Sequence, residues 1–168
     1  MGDGVDEMGT FQFRGIDAYA SKISSMVEKS EGMIKRAVYD GAAVVLQTVI
    51  AQITALPVIK NRYHKTEPPL RGVTETQKRG LLQGIGLSKM RNDSGFINTK
   101  LGFDGYNAVR SKKYPNGQPN ALIANAINSG SSVRSKDPFV NRAVKAAKAP
   151  AEAAMAARFD KDTENMMK

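Results

Sequence analysis

Apolar residues recur at intervals of three or four along Ile34, Val38, Ala42, Val45, Val49, Ile53 and Leu56. That spacing predicts a long amphipathic helix. Val44, Leu46 and Ile50 widen the stripe, so the helix is expected to be covered on more than one side. Gly41 interrupts it at a cost of about 1 kcal/mol against alanine, unless another backbone packs close there. Pro57 ends it, because proline has no N–H to give and disfavours a helical residue before it. A shorter helical stretch precedes it, with Ile16, Tyr19, Ala20, Ile23, Met26 and Val27 on one face and Gly32 as the expected break between the two. Ahead of both, residues 1–9 read as a flexible tail, and Phe11-Gln12-Phe13 alternates like a short edge strand closing at Gly15.

After Pro57 the pattern weakens. Residues 58–76 hold Pro68-Pro69, many charges and few apolar residues, and read as an exposed, mobile loop. Thr76 to Leu82 predicts a helix that gives way near Gly84 and Gly86 to a strand, Ile85 to Met90. Asn92-Asp93-Ser94-Gly95 is turn chemistry, and Phe96, Ile97, Leu101 and Phe103 suit a returning strand, so 85–103 reads as a hairpin. A third strand is expected within 105–119, a second mobile loop marked by Tyr114-Pro115-Asn116-Gly117. Ala121 to Ile127 predicts a short helix capped by Gly130, and 131–136 a loop. Asp137-Pro138 is a helix start with Asp as cap. Phe139, Val140, Ala143, Val144 and Ala147 give its apolar face, Pro150 is expected to bend or restart it, and residues 160–168 to fray. The sum is an α+β fold: one domain over 10–159, a small antiparallel sheet packed against a long amphipathic helix, and a C-terminal helix.

Composition supports a folded domain. Of 168 residues, 41% are hydrophobic and 24% charged, close to the average for globular chains. There is no cysteine, which excludes disulfides, thiolate metal sites and a cysteine nucleophile. The acidic start, with Asp3, Asp6 and Glu7, does not read as a secretory signal. Its Met1-Gly2 opening lacks the Ser or Thr a myristoylation signal wants, having Asp6 there. No uninterrupted apolar run approaches the roughly 20 residues of a membrane helix, so no membrane partner is expected. Net charge is +9, concentrated in residues 58–118, which hold 12 basic and 4 acidic side chains.

Candidate chemistry is sparse. His64 is the only histidine and stands in the basic loop without a paired ligand. Gly80, Gly84 and Gly86 spell neither a phosphate loop nor a dinucleotide fingerprint. The carboxylates are scattered, and Ser129, Ser131 and Ser132 lack a nucleophile elbow. No catalytic, cofactor-binding or metal-ligating residue is expected, and no enzyme. The positive cluster is Lys60, Arg62, Lys65, Arg71, Lys78, Arg79, Arg110, Lys112 and Lys113, interleaved with Tyr63, Tyr106 and Tyr114. This composition suits base stacking on nucleic acid and equally a protein–protein interface, with the interface favoured.

Several short pieces carry a resemblance. Phe13-Arg14-Gly15-Ile16-Asp17-Ala18-Tyr19 before amphipathic helices, and Gly80-Leu81-Leu82-Gln83-Gly84-Ile85 leading into strands, are similar to segments of the neck, or tail-completion, proteins of long-tailed bacteriophages. So is Ala124-Asn125-Ala126-Ile127-Asn128-Ser129-Gly130, although Asn128 and Ser129 stand where that family usually has Glu and Phe. Asp137-Pro138-Phe139-Val140-Asn141-Arg142-Ala143 resembles the family's Arg-Pro-Phe-Leu-Arg-Pro-Ala, with Gly130, Pro138, Phe139 and Arg142 as the motif residues. The resemblance in order of elements covers roughly residues 10–160. It implies a structural virion protein of the neck, made in the host cytoplasm, forming a homo-oligomeric ring that joins the DNA-filled head to the tail. Implied partners are further copies of itself, the head connector or head-closure protein, and the tail tube or tail terminator protein. Passive contact with DNA in the channel is also implied, and the loops 58–76 and 105–119 would order on assembly. The alternatives are a tail terminator capping the tail tube and a basic nucleic-acid-binding module.

Overall fold

The long apolar stripe does form a helix, and it is longer than the spacing alone indicates. In the computed structural model, which describes residues 17–60 and 69–168 with side chains from residue 27 onward, α1 runs unbroken over Asp17–Ala55. Gly32 is therefore not a break. A single glycine costs about 1 kcal/mol in a helix interior, and no proline reinforces it there. The strand expected at Phe11–Phe13 lies outside the described residues. Two compact units divide the chain, Met1–Gly32 and Met33–Lys168. In the first, the described residues 17–32 are helical. The core, the sheets and the surfaces discussed below belong to the second.

The helix ends where expected: Leu56 N–H bonds back to Ile53 carbonyl at 3.1 Å, and Pro57 follows. Residues 69–74, read from sequence as exposed loop, are anchored instead. Val73 is fully buried and pairs with the end of α1's exit segment, Val73 N–H to Pro57 O at 2.9 Å and Ile59 N–H to Val73 O at 2.8 Å. Thr74 then caps α2, Glu75–Gly84, in a capping box closed by Gln77.

The hairpin over 85–103 is present as an interrupted two-stranded ribbon. Its base pairs β1, Ile85–Leu87, antiparallel with β4, Leu101–Phe103, with Ile85 opposite Phe103. Its far end pairs β2, Arg91–Asp93, with β3, Phe96–Asn98, with Asp93 opposite Phe96. Between them the pairing slips by one residue, so the expected strand stops at Leu87 and does not reach Met90. Ser94 and Gly95 form the two-residue turn, both with positive φ (55° and 89°), as a type I′ hairpin requires.

The expected third strand within 105–119 reduces to a single bridge, Tyr106 with Pro119. The segment closes on itself through Asn107 N–H to Gln118 O at 2.9 Å and Asn107 Oδ1 accepting from Val109 N–H at 2.9 Å. These bonds take the place of a ladder. The helix α3, Asn120–Ser129, follows and closes at Gly130, φ 80°.

The last helix, α4, spans Phe139–Met167, so it neither restarts at Pro150 nor ends at 159. Pro150 is exposed, so water hydrates the carbonyl it frees, and Ala147 and Ala151 on either side are both buried. The charged end is held by Asp162, which bonds Arg36 Nε at 2.7 Å and faces Arg158 at 3.5 Å. Asp137 does not cap α4 with its side chain. Asn128, at the end of α3, accepts from Val140 N–H at 3.1 Å in its place, leaving the Asp137 carboxylate to pair with Arg142 at 2.7 Å.

One core joins these elements into an α+β fold. Val49, Ile53 and Leu56 of α1 meet Val73, Leu81 of α2, Ile123, Ala124 and Ile127 of α3, and Phe139 and Ala143 of α4. The ribbon's base reaches it through Ile85, Leu101 and Phe103. The helices α1 and α4 run antiparallel, since Arg36 meets Asp162, Asp40 meets Arg158 and Gln52 meets Arg142. Toward this partner α1 turns Met33, Ala37 and Gly41, which are buried, while Ile34 is 41% exposed. The buried face there is one position off the expected stripe because α4 approaches closely. A Cβ on Gly41 would lie 2.4 Å from Met155 Cγ and 3.2 Å from the Ala151 carbonyl oxygen. Val44, Leu46 and Ile50, expected under cover, are half-buried. Over Val27–Ala55 the helix has the length and mean hydropathy, 1.3, of a membrane-crossing segment. Counting uninterrupted runs misses this. Mostly buried core helices meet the same criterion; here 22% of the apolar window is buried, and Val49 and Ile53 lie in the core.

Candidate interaction surfaces

The described members of the positive cluster have different surroundings. Arg62 and Lys65, with Tyr63 and His64, lie outside the described residues. Lys60, Arg79, Arg110, Lys112 and Lys113 are exposed, with the Lys113 ammonium 5.4 Å from the centre of the Tyr114 ring. Lys78 has a structural task instead. Its Nζ donates to Thr54 O at 2.6 Å and Leu56 O at 3.0 Å, satisfying carbonyls that the end of α1 leaves without intrahelical partners.

Arg71 goes elsewhere again. It lines an open cleft of about 430 Å³ together with Pro57, Gly72, Ser135, Lys136, Asp137, Pro138 and Arg142. The fold thus brings one residue of the basic stretch beside two of the C-terminal motif, 67 and 71 positions away along the chain. Gly130, Phe139 and Arg142 also have architectural tasks. Gly130 closes α3. Phe139 is fully buried and meets Phe103 edge-on, ring centres 6.3 Å apart. Arg142 links three elements, donating to Gln52 Oε1 at 3.2 Å as well as pairing with Asp137.

A buried polar network around the start of α2 went unforeseen. Arg134, 6% exposed, donates to the Gly72 carbonyl and to Gln77 Oε1 at 3.2 Å. Gln77, fully buried, passes the chain on from its Nε2 to Gln118 Oε1 at 3.0 Å. The network ties the 69–74 segment, α2, the 105–119 loop and the 131–136 loop together. In sequence Arg134 is an ordinary cation in a serine-rich loop, and nothing near it signals burial.

The turn end of the ribbon is exposed at every residue from Arg91 to Phe96, and Phe96 is 72% exposed. Beside the two-residue turn, the Phe96 ring is mostly open to solvent. On α1 and α4, the Arg36 side chain hydrogen-bonded to Asp162 holds that carboxyl below the ordinary aspartate range, against the opposing effect of desolvation and with help from the charges of Arg36 and Arg158. Among the described residues no three His, Asp or Glu side chains converge as metal ligands.

Comparison with protein-family models, with characterised proteins and with solved structures gives no match.

Proposed function

We propose that this chain is a non-enzymatic structural protein of the neck of a long-tailed bacteriophage, forming a homo-oligomeric ring that joins the DNA-filled head to the tail. The observation that carries the reading is the aromatic-tipped ribbon: Phe96, 72% exposed, at the end of a hairpin whose base alone enters the core. Such a projection is suited to a cavity on a neighbour, and fully burying a phenylalanine ring there is worth about 2–3 kcal/mol per contact. The half-buried Val44, Leu46 and Ile50 on α1 offer further apolar area to a second copy. The resemblance of residues 124–143 to tail-completion proteins points to the same class.

The mechanism is geometric. Each subunit presents complementary surface to its neighbours in the ring, to the head connector or head-closure protein on one side, and to the tail tube or its terminator on the other. Ring symmetry multiplies contacts that are weak singly. The exposed Arg110, Lys112 and Lys113 face either channel DNA, as passive contacts, or an acidic ring.

Electron microscopy of a lysate from phage carrying an early stop in this gene tests the reading. Filled heads beside separate tails of normal length are expected. Abnormally long tails would indicate a terminator, and intact infectious particles would refute the neck assignment.

A further inference from the structure

Among the described residues, the cleft beside α4 has an excess of positive charge. Arg71 and Lys136 are both exposed and form no ion pair with any described residue. Arg142, the third cation, spends part of its guanidinium on Asp137 at 2.7 Å. Arg71 comes from the segment before α2, and Lys136 from the loop before α4. Two independent chain segments are thus held side by side, Ser135 N–H bonding Leu70 O at 2.9 Å and Leu70 N–H bonding Val133 O at 3.1 Å. The backbone positions that carry Arg71 and Lys136 are consequently held next to each other. The cleft also lies at the start of α4, whose first turn carries no acidic residue, so the positive end of the helix dipole adds to the field.

The geometry points to a docking site for an acidic, extended segment of a partner protein, with glutamate or aspartate carboxylates seated between Arg71 and Lys136. A volume of about 430 Å³ is in the range of clefts that enclose a small ligand or a few side chains. Arg71 can grip a carboxylate through two parallel N–H bonds. Pro57 and Pro138 supply apolar walls for the methylenes of a glutamate. Asp137 is paired with Arg142 at 2.7 Å; a peptide backbone brings N–H donors that its carboxylate can accept, which a phosphodiester backbone does not. The inference stands on the cleft and is independent of the neck reading.

The test uses fluorescence anisotropy of fluorescein-labelled hexaglutamate titrated with the full chain near physiological salt. A short DNA duplex and inorganic phosphate serve as competitors. Saturable binding is expected, weakened about tenfold or more, roughly 1.4 kcal/mol, in the Arg71→Ala/Lys136→Ala double variant. It should be essentially unchanged in Lys112→Ala/Lys113→Ala. Both altered pairs are exposed, and circular dichroism checks that the variants fold. Absence of saturable binding, or equal losses in the two double variants, would overturn the site. Tighter binding of the duplex, lost in the Arg71/Lys136 variant, would replace the peptide with nucleic acid.

Discussion

Replacing Lys78 by methionine separates an architectural cation from an interaction cation. The last four carbonyls of an α-helix lack intrahelical donors, and Lys78 Nζ serves Thr54 O at 2.6 Å and Leu56 O at 3.0 Å. A hydrogen bond to a charged group is worth about 1.5–3 kcal/mol net, and a cation at a helix C-terminus adds about 0.3–1 kcal/mol. Two effects reduce the total. Lys78 is half-buried and Thr54 exposed, so water takes over part of the bonding, and the lysine loses rotamer entropy in holding both carbonyls. Methionine keeps the aliphatic stem, so little packing is lost. The expected loss is about 1–2 kcal/mol, read as a lower urea midpoint at unchanged slope. In thermal unfolding it is a fall of roughly 2–8 °C. Arg79→Met, one residue on and exposed, should stay within about 0.5 kcal/mol of wild type. If Lys78→Met is as stable as wild type, the capping role is wrong. If it is fully stable but loses affinity for DNA or a partner, Lys78 belongs with the exposed cations after all.

Other expectations follow from the same contacts. Gly41→Leu should cost about 1–3 kcal/mol by overpacking the α1–α4 contact, and adding Met155→Ala should restore most of it in a double-mutant cycle. Independent, additive losses would mean that the two residues do not meet. Arg134→Met should cost about 2–4 kcal/mol in chemical denaturation, because the Gly72 carbonyl and Gln77 lose a buried donor. An unchanged midpoint would show the network to be dispensable. Asp162 has its folded carboxyl pKa lowered, so its contribution is complete above the ordinary aspartate pKa and is lost as pH falls through the lowered value. NMR titration should find Asp162 protonating at lower pH than an ordinary aspartate, and Arg36→Ala should move it back up. An unmoved titration in that variant would remove Arg36 as the cause.

What was legible in the sequence was periodicity and punctuation. The spacing from Val45 to Leu56, Pro57 as a stop, the Asn92–Gly95 turn and Gly130 as a cap all follow from local stereochemistry, and all hold in the fold. Errors arose where a local signal was too weak to decide or a tertiary contact overrode it. Gly32 and Pro150 read as breaks, yet helix continues through both. Ile34 and Val38 look like the buried face, but the close approach of α4 at Gly41 turns Met33 and Ala37 inward. Asp137 looks like a cap, but Asn128 reaches the orphan donor first. The candidate site was legible only in parts. Arg71 and Arg142 were each singled out, yet their meeting in one cleft depends on the pairing of residue 70 with the loop at 133–135, which no local pattern encodes. Lys78 and Arg134 both hold the fold together where their neighbourhoods suggest surface cations, since side-chain charge alone does not reveal which carbonyl a cation will find.

The most direct test of the neck assignment is reconstitution. Filled heads and free tails from the stop-mutant lysate are mixed with purified chain, and infectious particles are counted by plaque assay. The assignment predicts that wild-type protein restores infectivity and that Phe96→Ser, folded to the same thermal midpoint, restores far less. Particles that form equally well without added protein would contradict it, as would a lysate in which no joinable heads and tails accumulate.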